Sequence, residues 1–141
     1  MATSTASTGM EKESMVEEKK VRVLVVDDSP VIRKIHVAFI QRLGGVAATA
    51  ENGEVAGNIH RAGASFDLVL MNKEMPIMDG LLATKELREM GVTSMIVGVT
   101  SLDNEEHKKK AFMEAGLDQC LEKPLTMHKI SSLFNHLKLD V

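Results

Sequence analysis

Five polar residues stand where short apolar runs of the sequence end, and their types fit phosphate chemistry. Asp27 and Asp28 follow the run VRVLVV, Asn72 follows FDLVLM, Thr100 follows SMIVGV, and Lys123 follows QCLE. Carboxylates hold a hard divalent cation such as Mg²⁺ through oxygen ligands. A lysine and a hydroxyl can contact phosphoryl oxygens from the other side. Together these residue types indicate a pocket that neutralises charge during phosphoryl transfer.

The apolar runs alternate with longer segments of helical period, which predicts five strand-helix units around a parallel sheet. The predicted strands are residues 21–26, 46–50, 66–71, 94–99 and 119–122. The first predicted helix begins at Pro30 and has an apolar face at near-helical spacing, formed by Ile32, Ile35, Phe39 and Leu43. In a doubly wound α/β fold the carboxyl ends of the strands meet at one edge of the sheet. We therefore expect the five polar residues to converge in one pocket.

Composition limits the other classes of function. The chain has 141 residues, which suits one domain, and no apolar run approaches the roughly 18 residues needed to span a bilayer. The formal net charge is -3 and only 3% of residues are aromatic, so direct binding of DNA is not expected. The single cysteine, Cys120, excludes an internal disulfide and favours a reducing compartment, cytoplasmic or nuclear.

The ends of the chain differ from its centre. Residues 1–20 are rich in Ser and Thr and then in mixed charge, with no apolar periodicity, so we expect a disordered N-terminal tail. Residues 21–138 carry the alternating pattern and form the predicted domain. Only residues 139–141 remain after the last predicted helix, so we expect no output domain.

The segments VVDDSP, LMNKEMPIMDG, VGVTS and CLEKP, in this order and spacing, resemble the receiver domain of response regulators. The resemblance implies a flavodoxin-like fold with five parallel strands in the order 2-1-3-4-5. It also implies an Mg²⁺ site formed by Asp27, Asp28, the residue at position 72 and the backbone carbonyl of Glu74. With Asn72 in place of the usual aspartate, we expect this Mg²⁺ site to be weakened.

The same resemblance assigns the phosphoryl chemistry. Position 72 would be the phosphoacceptor, Thr100 the switch hydroxyl, and Lys123 a contact to the phosphoryl group, with the Lys123–Pro124 bond commonly cis. The amide of Asn72 is a very poor nucleophile where a carboxylate oxygen is needed, so phosphorylation is not expected. Cys120 stands where many receivers have an aromatic switch residue, which puts that form of output in question.

The stretches KELREMGVTSMIVGVTSLDNEE and KAFMEAGL are similar to plant type-C response regulators, which consist of a receiver alone. This likeness implies a monomer that docks a histidine-containing phosphotransfer protein in a cytokinin-type relay. The docking surface would include the first helix, where Val31 is apolar, and the loop Lys123 to Leu125. We expect no membrane association.

Simpler interpretations of the polar residues stay open. Taken alone, Asp27 and Asp28 could be a solvated turn pair, Asn72 a turn residue, Thr100 a hydroxyl at a helix start and Lys123 a surface lysine. Three functions also stay open: a receiver that docks its carrier without stable phosphorylation, a phosphohistidine phosphatase in a form with aspartate at position 72, and a pseudo-receiver that acts as an interaction module. Sequence alone does not separate an engineered Asn72 from a natural one.

Overall fold

The structure, a computed structural model, describes residues 20–101 and 106–139. The strands are β1 (Arg22–Val26), β2 (Val46–Ala50), β3 (Leu68–Asn72), β4 (Met95–Thr100) and β5 (Gln119–Glu122). The helices are α1 (Pro30–Arg42), α2 (Gly53–Arg61), α3 (Gly80–Glu89), α4 (Glu106–Glu114) and α5 (Met127–Leu139). The order of elements follows the predicted alternation. Most of the expected tail, residues 1–19, lies outside the described residues, as do residues 140–141.

All five strands are parallel and lie in the order β2-β1-β3-β4-β5, which confirms the predicted fold and strand order. Successive strand residues point to opposite faces of the sheet, and helices cover both faces. Leu24, Val69 and Ile96 belong to the core under α2, α3 and α4, whereas Val25 and Leu70 pack with residues of α1 and α5. Coverage on both faces explains why the strands read as nearly continuous apolar runs.

Three of the predicted strands shift by one or two residues at their boundaries. β4 covers Met95–Thr100 in place of the predicted 94–99, so Thr100 is its last residue. β1 begins at Arg22, one residue after the predicted start at Val21. β3 covers Leu68–Asn72, so Phe66 precedes the strand and Asn72 is its last residue. The hydrogen bond from the backbone amide of Lys73 to the carbonyl of Val99 continues the ladder past Asn72. Asn72 is therefore held by the sheet itself.

The predicted apolar face of α1 is partly wrong. Ile35, assigned to that face, is 41% exposed, while the buried residues of α1 are His36 and Ile40. Apolar residues are spread widely around this helix, so the spacing alone does not single out the stripe that packs on the sheet. The four-residue step from His36 to Ile40 defines the buried side, and it brings an imidazole into the interior near the strand ends.

Short loops end in capping residues that start the helices directly behind the strands. Ser29 Oγ accepts a hydrogen bond from the backbone amide of Ile32, and Asp79 Oδ1 accepts one from that of Leu82. Such caps satisfy amides that have no partner within the helix. The turns at the carboxyl edge are thereby fixed in place. Over the part of the chain that the structure describes, no helix has both the length and the apolar content for crossing a bilayer.

Candidate functional site

The β1–α1 turn separates the two adjacent acids into different environments. The Asp27 side chain is 5% exposed and its Oδ1 accepts a 2.9 Å hydrogen bond from the backbone amide of Ser29. The backbone amide of Asp27 donates to Ala50 O at 3.1 Å, which ties the turn to β2. Asp28 is exposed at the mouth of the same edge. The pair is therefore one structural acid within the turn and one acid open to a ligand.

At the end of β3, Asn72 is 3% exposed and is packed closely by the chain that follows it. The loop from Lys73 returns to the strand at Gly80, whose backbone amide donates to Lys73 O at 2.7 Å. A Cβ at Gly80 would collide with the carbonyl oxygen of Asn72. Only glycine allows this close approach of two backbone segments. The loop is thus held against Asn72, the residue at the predicted phosphoacceptor position.

The carboxamide of Asn72 links the two sides of the pocket. Its Nδ2 donates to Glu74 O at 2.9 Å and makes a longer contact of 3.4 Å to Asp28 Oδ1. Its Oδ1 is buried and has no hydrogen-bond partner. The structure therefore brings Asn72, Asp28 and the Glu74 carbonyl into direct contact, as expected from their positions.

Thr100 and Lys123 lie on the neighbouring strand ends but do not reach the amide. The backbone amide of Lys123 donates to Thr100 O at 2.8 Å, and the Lys123–Pro124 peptide bond is cis. The loop is held further by Lys129 Nζ, which donates to Glu122 O at 2.9 Å. Thr100 is half-buried and the Lys123 side chain is exposed. Neither of these side chains hydrogen-bonds Asn72 Oδ1.

Two residues of α1 belong to this edge but were not assigned to it from the sequence. Arg33 Nη1 donates to Asp27 O at 2.7 Å, and His36 is 6% exposed. Burial lowers the pKa of His36, while the Asp27 carboxylate opposes this shift and the Lys123 ammonium adds to it. A signal for His36 was available, because it precedes Ile40 by one helical turn. The reach of Arg33 back to a main-chain carbonyl has no comparable signal.

Cys120 lies in β5 and is half-buried. Burial raises the pKa of its thiol, so the less reactive protonated form is favoured. The residue provides no aromatic ring that could rotate between two positions.

The donor set for a divalent cation is incomplete in this orientation of the side chains. Asp27, Asp28 and the Glu74 carbonyl are oxygen ligands of the kind that Mg²⁺ prefers. However, hydrogens of the Asn72 amide point at two of these three groups, Asp28 and Glu74. Within residues 20–101 and 106–139, no group of three His, Cys, Asp or Glu side chains is placed to hold a metal ion. The pocket as it stands does not fit a bound cation.

A parallel sheet of this strand order, with acids after β1, a polar residue ending β3 and a Lys–cis-Pro pair after β5, defines a receiver domain. The family described as "Response regulator receiver domain" matches residues 23–135. The chain therefore belongs to this family.

Similar proteins agree with this assignment. The chain is 57% identical over 139 residues to the two-component response regulator ARR22 of Arabidopsis thaliana, covering 97% of this chain and 98% of that protein. Among solved structures, the Ssk1 receiver of Saccharomyces cerevisiae, co-crystallised with the histidine phosphotransfer protein Ypd1, has a TM-score of 0.76 at 25% identity, covering 84% of this chain and 88% of that one. TrrA of Thermotoga maritima, in complex with Mg²⁺-BeF, has a TM-score of 0.72 at 30% identity, covering 84% of this chain and 99% of that one.

Proposed function

We propose that this chain is a receiver-only response regulator that docks a histidine-containing phosphotransfer protein but does not accept its phosphoryl group. The observation that carries the proposal is the amide of Asn72 at the end of β3, whose Nδ2 contacts Glu74 O and Asp28 Oδ1. Phosphoryl transfer needs an oxygen nucleophile, and a neutral amide supplies a very poor one. In this proposal the chain acts by binding the phosphotransfer protein without taking its phosphoryl group.

The docking surface in this proposal is the apolar pair formed by Val31 and Ile35 on α1. Their side chains are 64% and 41% exposed, and they lie one helical turn apart on the same helix face. Val31 is three residues after Asp28, so the pair lies close to the mouth of the pocket. Exposed apolar side chains beside a polar site are typical of protein-protein contacts. The Ssk1 receiver in its complex with Ypd1 supports a partner of this kind.

The relay in this proposal is a plant histidine-to-aspartate relay of the cytokinin type. Likeness to ARR22, a two-component response regulator of Arabidopsis thaliana, supports a plant two-component system. Mg²⁺ binding is proposed to be weaker than in receivers with aspartate at position 72. TrrA, a response regulator solved in complex with Mg²⁺-BeF, supports Mg²⁺ binding by a protein of this fold. Losing one of three carboxylates removes both a ligand and a charge.

The test of docking is a calorimetric titration of the chain with an unphosphorylated plant phosphotransfer protein. Val31→Glu should weaken binding at least tenfold, since it places a charge in an apolar contact. Val46→Glu is the matched control, because Val46 is 44% exposed but begins β2, at the opposite edge of the sheet. Equal effects of the two variants would contradict the proposed surface, and absence of binding by the unmodified chain would contradict docking itself.

The test of phosphorylation uses the same carrier in its phosphorylated form. Mass spectrometry of the unmodified chain should find no phosphate on residue 72, whereas Asn72→Asp should either hold phosphate there or drain it from the carrier into solution. Loss of carrier phosphate in the presence of Asn72→Asp alone would support a phosphatase function for the aspartate form. Docking without any transfer by either variant would favour a pure interaction module.

A further inference from the structure

We propose that the carboxamide of Asn72 takes the place of a divalent cation in this pocket, so that the receiver keeps the geometry of its site without metal. The inference goes beyond the proposed function, because no step of it involves a carrier protein. It concerns how Asn72 provides hydrogen bonds in a pocket where the carboxylates of Asp27 and Asp28 and the carbonyl of Glu74 would otherwise lie together without a cation.

The amide nitrogen lies between the two groups that a cation would bridge. Asn72 Nδ2 is 2.9 Å from Glu74 O and 3.4 Å from Asp28 Oδ1. Its two hydrogens carry partial positive charge and face two oxygen acceptors, as a cation would. The amide thus joins the β1–α1 turn to the β3–α3 loop, at a residue that is 3% exposed and so has little access to water.

The orphaned oxygen of the same amide shows which of its two orientations the site selects. Asn72 Oδ1 is buried without a partner, which normally costs free energy. Turning the amide by half a rotation would place this oxygen against Asp28 and Glu74, two acceptors that repel it, and would leave the hydrogens without partners. Only a cation between the three oxygens would favour the turned state. The amide hydrogens and a cation are therefore alternative bridges between the same two groups.

The remaining polar groups of the turn have their own partners and do not need a metal. Ser29 N donates to Asp27 Oδ1 at 2.9 Å, and Arg33 Nη1 donates to Asp27 O at 2.7 Å. The exposed carboxylate of Asp28 is thus the acid that depends on Asn72. Removing the amide should release Asp28 and the Glu74 carbonyl together.

The two roles open to Asn72 make opposite predictions for one variant. If the amide competes with a cation, Asn72→Ala frees two oxygen ligands and should bind Mg²⁺ more tightly. If instead Asn72 Oδ1 is itself a metal ligand, the alanine variant loses a ligand and should bind more weakly. We expect the first result, with a tightening of roughly tenfold, the factor that corresponds to displacing the two amide hydrogen bonds.

The experiment compares melting temperatures in EDTA and across an Mg²⁺ series at constant ionic strength, so that general screening does not imitate binding. Asn72→Ala should melt below the unmodified chain in EDTA and gain more from Mg²⁺. Asn52→Ala is the matched control, since Asn52 is also buried, at 5% exposure, but caps α2 by accepting a hydrogen bond from Val55 N at its Oδ1. This variant should lower the melting temperature, but its response to Mg²⁺ should equal that of the unmodified chain. An Mg²⁺ gain in Asn72→Ala equal to or smaller than that of the unmodified chain overturns the proposal.

A second measurement on the unmodified chain removes dependence on the folding of the alanine variant. The side-chain NH₂ protons of Asn72 are observed by NMR in an isotope-labelled sample while Mg²⁺ is added. The proposal expects two resolved signals with slow solvent exchange that stay unchanged in millimolar Mg²⁺. A saturable shift of these signals, with faster exchange, would mean that the amide turns to receive the cation and would overturn the proposal. Neither experiment contains a carrier, so failure here leaves the test of docking intact.

Discussion

The guanidinium of Arg33 donates a 2.7 Å hydrogen bond to the carbonyl oxygen of Asp27, across the turn that joins β1 to α1. The side chain therefore ties the first helix to the end of the strand that carries both pocket acids. It contacts the main chain, so the guanidinium occupies neither carboxylate. The positions of Asp27 and Asp28 thus depend on Arg33, a basic residue that was not predicted to belong to the pocket.

Arg33→Met should lower the free energy of unfolding by about 1.5 to 3 kcal/mol, because it removes a charge-assisted hydrogen bond while keeping an apolar stem. Lys34→Met, on the exposed face of the same helix, should change it by less than about 0.5 kcal/mol. Urea denaturation of both variants measures the difference. Similar losses in the two would show that the Arg33 bond does not stabilise the turn.

Gly80→Ala should destabilise the chain by about 3 kcal/mol, the upper end of the usual cost of overpacking, because the added methyl group meets the backbone of Asn72. The matched change is Gly57→Ala in α2, where the nearest atom is the end of the flexible Arg61 side chain at 3.0 Å. That variant should be neutral or gain up to about 1 kcal/mol from alanine's helix propensity. Equal losses in urea denaturation would contradict the close approach at Gly80.

The sequence predicted the fold well because each strand is a short apolar run bounded by residues that turn the chain. Even the short strand Val46–Ala50, whose apolar pattern is weak, has its predicted limits, since it lies between two predicted helices in the alternating order of the chain. The face of α1 was harder, because Ile35 and His36 are adjacent and only packing on the sheet decides which one is buried. Periodicity ranks the faces of a helix poorly when apolar residues surround most of it.

The candidate site was predictable in residue type and position, but not in its contacts. Strand ends place Asp28, Asn72 and Glu74 at one edge, and these residues do meet. Sequence reasoning did not predict that the Lys123 side chain is exposed and makes no hydrogen bond to the amide. The direction of a long side chain depends on charge balance, and a neutral amide attracts an ammonium less than a carboxylate does.

His36 should make stability depend on pH. Burial holds its pKa below the ordinary value of 6.5, with Asp27 raising it and Lys123 lowering it further. The unfolded chain then binds more protons than the folded chain between the lowered pKa and 6.5, so stability is full above 6.5 and is lost as pH falls through this window. His36→Gln should reduce the slope of unfolding free energy against pH in that window.

The control for this prediction is His128→Gln, which removes an exposed histidine of α5. Chemical denaturation at a series of pH values from 5 to 8 gives the slopes. Identical slopes for His36→Gln and the unmodified chain would contradict the role of the buried imidazole.

Asn72→Asp tests the charge of the pocket. The new carboxylate would face Asp28 at about the present separation of 3.4 Å from the amide nitrogen, and it would lack the hydrogens that bond Glu74 O. Two like charges about 4 Å apart repel by about 4 kcal/mol at an effective dielectric constant of 20, before relaxation and protonation reduce this value. In EDTA the aspartate variant should therefore unfold at a lower temperature than the unmodified chain. Mg²⁺ adds opposite charge and binds the folded pocket better than the unfolded chain, so it should stabilise Asn72→Asp more.

The difference in melting temperature between the unmodified chain and Asn72→Asp should consequently become smaller or change sign as the Mg²⁺ concentration is raised at constant ionic strength. Asn52→Asp provides the comparison for this change, since it introduces a carboxylate at another buried asparagine, one that caps α2 and lies on a different turn from Asp28. An acidic residue at a helix N-cap is tolerated, so this variant should show little response to Mg²⁺ beyond that of the unmodified chain. Melting curves of the three chains in EDTA and in the Mg²⁺ series measure both effects. Equal Mg²⁺ responses of Asn72→Asp and the unmodified chain would show that residue 72 and Asp28 do not share one cation-binding pocket.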